Sequence, residues 1–184
     1  MREKITIALT GHRPNKLDGY ELFVSATSTQ LRPYYQKMYN RLVLAITNAL
    51  DKAEIVECHS GLALGADTVW ALAITDMQEK YPTRVRFVAD IPDFRQSSLW
   101  KPLDAKRWSS LLNKAQTINT YHIQNPNKSY PYILNMRNLG MVTPCDVLIC
   151  IYNGDTTGGT ANAVKIGQEQ NKRLLILEPD SFRS

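Results

Sequence analysis

The stretch Cys145-Asp146-Val147-Leu148-Ile149-Cys150-Ile151-Tyr152-Asn153-Gly154-Asp155-Thr156-Thr157-Gly158-Gly159-Thr160-Ala161-Asn162-Ala163 decides how the chain is read. Its apolar run, ending at Tyr152, reads as a buried strand. A polar, glycine-dense loop follows, and Gly158-Gly159-Thr160 opens a segment, Ala161 to Gln170, that reads as a helix. Strand, glycine loop and helix N-terminus together make an arrangement that receives anions. The first-turn amides have no intrahelical acceptor, and the macrodipole places positive potential there. Two glycines let a phosphate approach the backbone with no Cβ in the way. The turn is therefore expected to form half of a nucleotide or phosphate pocket.

Upstream, Ile5 to Leu9 reads as a first strand and ends in Thr10-Gly11-His12-Arg13-Pro14. Gly11 permits a sharp exit and Pro14 stops continuation. His12 and Arg13 then stand at the C-terminal tip of a strand, the edge where ligands bind in open α/β sheets. A surface His and Arg without function is the competing reading. Asn15 to Arg32 is polar and aromatic and reads as an ordered loop or short helix over the site. Met38, Leu42, Ala45, Ile46 and Ala49 recur at helical spacing, so residues 34 to 51 form a helix. Tyr34, Tyr35 and Tyr39 are read as packing rather than pocket residues.

A second strand–turn–helix unit follows. Glu54 to Cys58 is a strand, and Ser60-Gly61-Leu62-Ala63-Leu64-Gly65-Ala66-Asp67 leads into a helix running through Met77. Ser60 has a hydroxyl and an amide to offer a phosphate, and Gly61 and Gly65 flank the turn. Asp67, in the first helical turn, either compensates the helix dipole or contacts a ribose hydroxyl or base amine. Residues 84 to 89 form a third strand, about 102 to 115 a helix, and 117 to 121 a short strand. Residues 123 to 131 read as a loop, 132 to 142 as a helix bearing Arg137-Asn138, and 173 to 177 as the last strand. Strands alternating with helices predict an α/β, Rossmann-like, doubly wound and mainly parallel sheet with helices on both faces.

The 184 residues suit a single domain spanning 1–184. Hydrophobic content of 43% with 21% charged residues is that of an ordinary globular chain. No apolar run approaches the ~20 residues of a membrane span, and the N-terminus has no apolar h-region, so neither a membrane partner nor a signal peptide is expected. Cys58, Cys145 and Cys150 are odd in number and lie in or beside apolar strands. They are read as reduced core residues of a cytoplasmic protein. A net charge of +5 is spread along the chain rather than blocked. That suits small anions and disfavours a general nucleic-acid binder.

Several motifs are absent. No Gly-Lys-Ser/Thr closes a Walker loop, and Gly61 to Ala66 lacks the central glycine of the dinucleotide fingerprint. No Cys, His or acidic cluster has metal-ligand spacing, so no metal and no cofactor beyond a nucleotide-type ligand is expected. Cys58-His59 is set aside as a catalytic pair because adjacent residues after a strand point apart.

Thr10-Gly11-His12-Arg13-Pro14, Ser60-Gly61 with Leu64-Gly65-Ala66-Asp67, Gln96 with Trp100, Arg137-Asn138 with Met141, Asp146 to Ile149, and Gly158 to Asn162 stand in an order that resembles the SLOG superfamily. This Rossmann-like group contains the DNA-processing protein DprA, the Lonely Guy (LOG) cytokinin-activating enzymes and the YpsA-like proteins. The resemblance is greatest to the YpsA-like branch, common in bacteria and phages, and covers nearly the whole chain. It implies a pocket at the strand C-termini for a nucleotide or nucleotide-derived small molecule, and a homodimer or higher homo-oligomer. LOG enzymes cleave the N-glycosidic bond of nucleoside monophosphates with an Arg-Lys-x-x-Met block and a Gly-Gly-x-Gly-Thr-x-x-Glu block. Here Asn138 replaces the Lys, and Ala163 stands where the catalytic Glu would be. A glycosidase needs a carboxylate, and the sequence positions neither Asp67 nor Asp155 for that work.

The expected function is binding of a phosphate-bearing nucleotide or nucleotide-derived signal, as a sensor or sequestering protein. Gly158, Gly159 and Thr160 cradle the phosphate. Ser60, Gly61 and Arg137 add donors, with Gly65 in the second turn. His12 and Arg13, after Gly11, cap from the first strand, and Asp67 selects ribose or base. The alternatives are a nucleoside-monophosphate N-glycosidase and a DNA-associated module like DprA.

Overall fold

The computed structural model describes residues 1–183. Strand β1 (Arg2–Gly11) leads through α1 (Pro33–Leu50) to β2 (Ala53–Ser60), and α2 (Ala66–Lys80) leads to β3 (Val85–Ile91). Then come α3 (Pro102–Leu112), β4 (Thr117–Thr120), the short α4 (Tyr121–Gln124) and α5 (Tyr130–Val142). Strand β5 (Val147–Ile151), α6 (Gly158–Glu169) and β6 (Arg173–Leu177) complete the order. The six strands form one sheet, β4-β3-β2-β1-β5-β6, and every neighbouring pair is parallel.

Side-chain alternation divides the core into two layers. Ile5, Ile7 and Leu9 of β1, Val56 and Cys58 of β2, and Phe87, Ala89 and Ile91 of β3 face α1, α2 and α3. Ala8, Leu148 and Cys150 face α5 and α6 through Met141, Val142, Ala163, Val164 and Ile166. With both faces covered, the central strands read as nearly continuous apolar runs rather than as alternation. The chain builds outward from β1 to β4, then returns to place β5 on the other side of β1. The strand order thus reverses between β1 and β5, and a crevice opens at their C-terminal ends.

The differences from the sequence reading are local. Helix α6 begins at Gly158 rather than Ala161, because Gly158, at φ +87°, turns the chain directly into the helix. Helix α5 starts at Tyr130, with Pro131 in its first turn, a position that needs no N–H. The short strand ends at Thr120, and Tyr121 opens α4 instead of closing the strand. The three tyrosines of α1 pack: Tyr34 donates to the Pro179 carbonyl at 3.0 Å, Tyr35 to that of Gly19, and Tyr39 to Asp76 Oδ2 at 2.6 Å. Cys58, Cys145 and Cys150 are buried and free. Burial lifts the Cys145 thiol to about 11 and the Cys150 thiol to about 12. Among the described residues no helix is long and apolar enough to cross a membrane.

Candidate functional site

The loops after β1 and β5 are clamped together across the crevice. The His12 amide donates to the Ile151 carbonyl at 3.1 Å, and His12 Nε2 lies 2.7 Å from Asn153 Oδ1. Lys16 pairs with Asp155 beside them. His12 is 3% exposed, so its imidazole is a pin between two loops and not a free cap. Arg13, the next residue, is exposed and reaches solvent. Gly11 and Gly65 have packing reasons. A Cβ on Gly11 would overlap that of Ala66. Gly65 has φ +98°, and a Cβ there would come 2.6 Å from the His12 carbonyl. That carbonyl accepts from the Ala66 amide at 3.3 Å, which seats the N-terminus of α2 on the tip of β1.

The turn after β2 is also occupied from within. Ser60 is fully buried. Its hydroxyl donates to the Asp67 carbonyl at 3.3 Å and accepts from the Leu62 amide at 3.2 Å. The hydroxyl expected to meet a phosphate is therefore committed to shaping the turn. Asp67 is 5% exposed and accepts from the Ala63 amide at 3.3 Å. Burial raises its carboxyl above the usual range, while Arg137 and Arg13 oppose that rise.

Arg137 is the residue that joins the blocks. It projects from α5 over the C-terminal end of β2, where a Cβ on Gly61 would overlap its Nη1. Gly61 is glycine so that a guanidinium can lie on the backbone. Arg137 is 8% exposed, its ion pair with Asp67 spans 3.9 Å, and its Nε is buried with no hydrogen-bond partner. A guanidinium carries five N–H donors, and leaving buried ones unmet is costly. This one is held in place and under-compensated.

Asn138, the neighbour of Arg137, reaches the other glycine turn. Its Nδ2 donates to the Gly159 carbonyl at 3.1 Å and to Asn162 Oδ1 at 2.8 Å, and Asn162 in turn donates to Asn135 at 3.1 Å. Two adjacent α5 residues therefore connect the β2 turn to the first turn of α6. No side chain caps α6, and its first turn carries no acid. The Asp155 carboxylate accepts from the Thr157 amide at 3.0 Å and its hydroxyl at 2.8 Å, one residue before the helix. A Cβ on Gly158 or Gly159 would meet nothing within 4 Å. The turn that sets φ explains Gly158. Nothing in the packing explains Gly159, whose face is open. Thr160 is half-buried beside it. Ala163 is fully buried in the layer of Ala8, Leu148 and Cys150, so its side chain faces the core.

Sequence reasoning named Gln96 without its role and missed Asp90. Gln96 donates to the Gly61 carbonyl at 3.0 Å and accepts from Trp108 Nε1 at 3.3 Å, which locks the β2 turn to α3. At the C-terminal end of β3, Asp90 is fully buried. His59 Nδ1 lies 2.7 Å from its Oδ2, and Asn119 and Tyr121 donate to its Oδ1 at 3.0 and 2.9 Å. A polar residue at the end of an apolar strand was the available signal; its partners, from β2, β4 and α4, were not. Two open clefts, of about 410 and 350 Å³, share Arg13, Leu99 and Trp100. Among the described residues no group of His, Cys, Asp or Glu could hold a metal ion.

No family model matches the chain, and no curated protein matches it. Among solved structures it is similar to DNA processing protein A from Helicobacter pylori, described for its single-stranded DNA binding mode. The TM-score is 0.58 and the identity 14%, over 96% of this chain and 70% of that one. The likeness is one of fold. It supports a DprA-like, Rossmann-type α/β arrangement and leaves function to the site.

Proposed function

We propose that this chain binds a nucleotide or a nucleotide-derived phosphate ligand at the C-terminal edge of its sheet, and that it does so as a SLOG-type, YpsA-like binding protein. The observation that carries the reading is Arg137: a buried, under-paired guanidinium linked through Asn138 to an uncapped helix N-terminus. A phosphate between them would meet a fork of charged donors on one side and the amides of Gly158, Gly159 and Thr160 on the other. Gly11, His12, Ser60, Gly61, Gly65 and Asp67 serve by building the wall. Arg13 and Trp100 flank the open clefts where a base and ribose have room. With Ala163 in the core, the reading is binding without N-glycosidic cleavage.

The test is calorimetric titration of the purified chain with a panel of nucleoside mono-, di- and triphosphates, with native mass spectrometry for any co-purified ligand. Saturable binding that weakens roughly 10- to 100-fold in Arg137→Ala is expected. Silence across the panel and an empty protein would sink the proposal. Release of free base from a nucleoside monophosphate would replace it with the glycosidase reading.

One observation favours a second reading. Leu99 is 96% exposed and Tyr130 52%, and both line a cleft with Arg13, Arg95 and Trp100. Cations interleaved with aromatic faces suit the backbone and bases of a single strand. Single-stranded DNA binding whose affinity falls steeply with salt would support it. Absence of binding at low salt would remove it.

A further inference from the structure

One cation at the crevice is unpaired. Three positive side chains line the two open clefts: Arg13 lines both, Lys101 the larger and Arg95 the smaller. Arg95 pairs with Asp93 at 2.7 Å and Lys101 with Glu21 at 3.6 Å. Lys16, three residues after Arg13, pairs with Asp155. Among the described residues the Arg13 side chain has neither an ion pair nor a hydrogen bond.

The backbone of Arg13, by contrast, is fixed. The His12 amide is bonded to β5 and the His12 carbonyl to the first residue of α2. Pro14 is buried, and the Lys16 amide donates to the Arg13 carbonyl at 3.0 Å. A guanidinium on a fixed root, unpaired beside an open cleft, is placed to meet an anion, and its planar fork matches the oxygens of a phosphate.

Arg13 and Arg137 stand on either side of one carboxylate. Arg137 pairs with Asp67 at 3.9 Å, and the charge of Arg13 acts on Asp67 as well. The two guanidiniums differ in depth. Arg137 is buried and lines neither cleft, whereas Arg13 is exposed and borders both. Each cleft, at about 410 and 350 Å³, has room for a nucleoside. A ligand that rests its nucleoside in a cleft and sends a phosphate to Arg137 meets Arg13 whichever cleft it uses. A single phosphate offers one group to two guanidiniums at two depths and leaves one of them unmatched.

Resting on the binding reading above, we infer that the ligand class is the nucleoside diphosphate. Its terminal phosphate lies between Arg137 and the first turn of α6, its inner phosphate is held by Arg13, and its nucleoside occupies one of the two clefts. Arg13 is then the residue that tells a diphosphate from a monophosphate.

The test is calorimetric titration of the full chain with adenosine, guanosine, cytidine and uridine mono- and diphosphates, compared as pairs, with circular dichroism to confirm that each variant folds. In a pair that binds, the diphosphate should bind roughly tenfold or more tightly than its monophosphate. Arg13 is exposed and unpaired, so Arg13→Ala should fold as wild type does, and it should bring the two members of the pair close to equal affinity. Arg13→Lys keeps the charge without the planar fork and should retain part of the preference. Silence from every pair overturns the nucleotide reading and this inference with it. Equal affinity for both members of a pair in wild type overturns the diphosphate assignment alone and leaves the binding reading standing. A diphosphate preference that survives Arg13→Ala overturns the role of Arg13.

Discussion

Arg137 is the buried charge on which the proposed ligand site rests. Its guanidinium is buried, its Nε has no partner, and Asp67 stands 3.9 Å away. Removing it leaves the buried Asp67 carboxyl without that partner, so Arg137→Ala should lower the urea midpoint of the unliganded protein. Hydrogen bonds to charged groups are worth about 1.5–3 kcal/mol, so calorimetry should show phosphate-ligand affinity falling roughly 10- to 100-fold. Gly159→Ala should set stability against affinity at the other turn. Nothing lies within 4 Å of the added methyl, and alanine favours a helix by up to about 1 kcal/mol over glycine. The variant should melt higher than wild type and bind more weakly; tighter binding would place the ligand elsewhere.

Asp67 carries a pH signature. Burial raises its folded-state carboxyl above the usual value. A raised group contributes stability that is fully present below the unfolded-chain value, about 3.9 for Asp, and is lost as pH rises through the folded value. Asp67→Asn does not titrate, so its urea midpoint should gain on wild type between pH 4 and pH 8. The reverse trend would mean that Arg137 and Arg13 outweigh burial at this carboxyl.

At the scale of elements, Asp90 ties β3 to its surroundings. It receives Asn119 from β4 and Tyr121 from α4, and His59 of β2 lies against it. A carboxylate deleted here strands several buried donors at once. Asp90→Ala should destabilise by roughly 3–5 kcal/mol in urea unfolding. Asp90→Asn, which keeps one acceptor, should cost less. Because α4 leads directly into α5, the loss should also loosen the helix that carries Arg137 and Asn138. Amide exchange in residues 130 to 142 would register it.

At the scale of the molecule, the proposed ligand touches elements from both sides of the sheet: Arg13 after β1, the β2 turn, α5 and α6. It should therefore stabilise the fold as a unit. At a ligand concentration about 100 times the Kd, linkage raises unfolding free energy by about 2.7 kcal/mol. The thermal midpoint should rise in one cooperative step, whereas a second transition left unmoved by ligand would confine binding to a local segment.

The sequence by itself determined the alternation of strand and helix, the parallel sheet and the two glycine turns at strand C-termini. Apolar runs, helical spacing and glycine placement are local signals, and all are written in consecutive residues. Sequence order also singled out Arg137 and Asn138 as a pair. Tertiary structure decided what each side chain does. It turned His12 inward to Asn153 and committed the Ser60 hydroxyl to its own turn. It laid Arg137 on Gly61, although the two are far apart in the chain. It also gave buried Asp90 partners drawn from three other elements. Burial and partnership depend on which distant segments pack together, and no spacing along the chain encodes that.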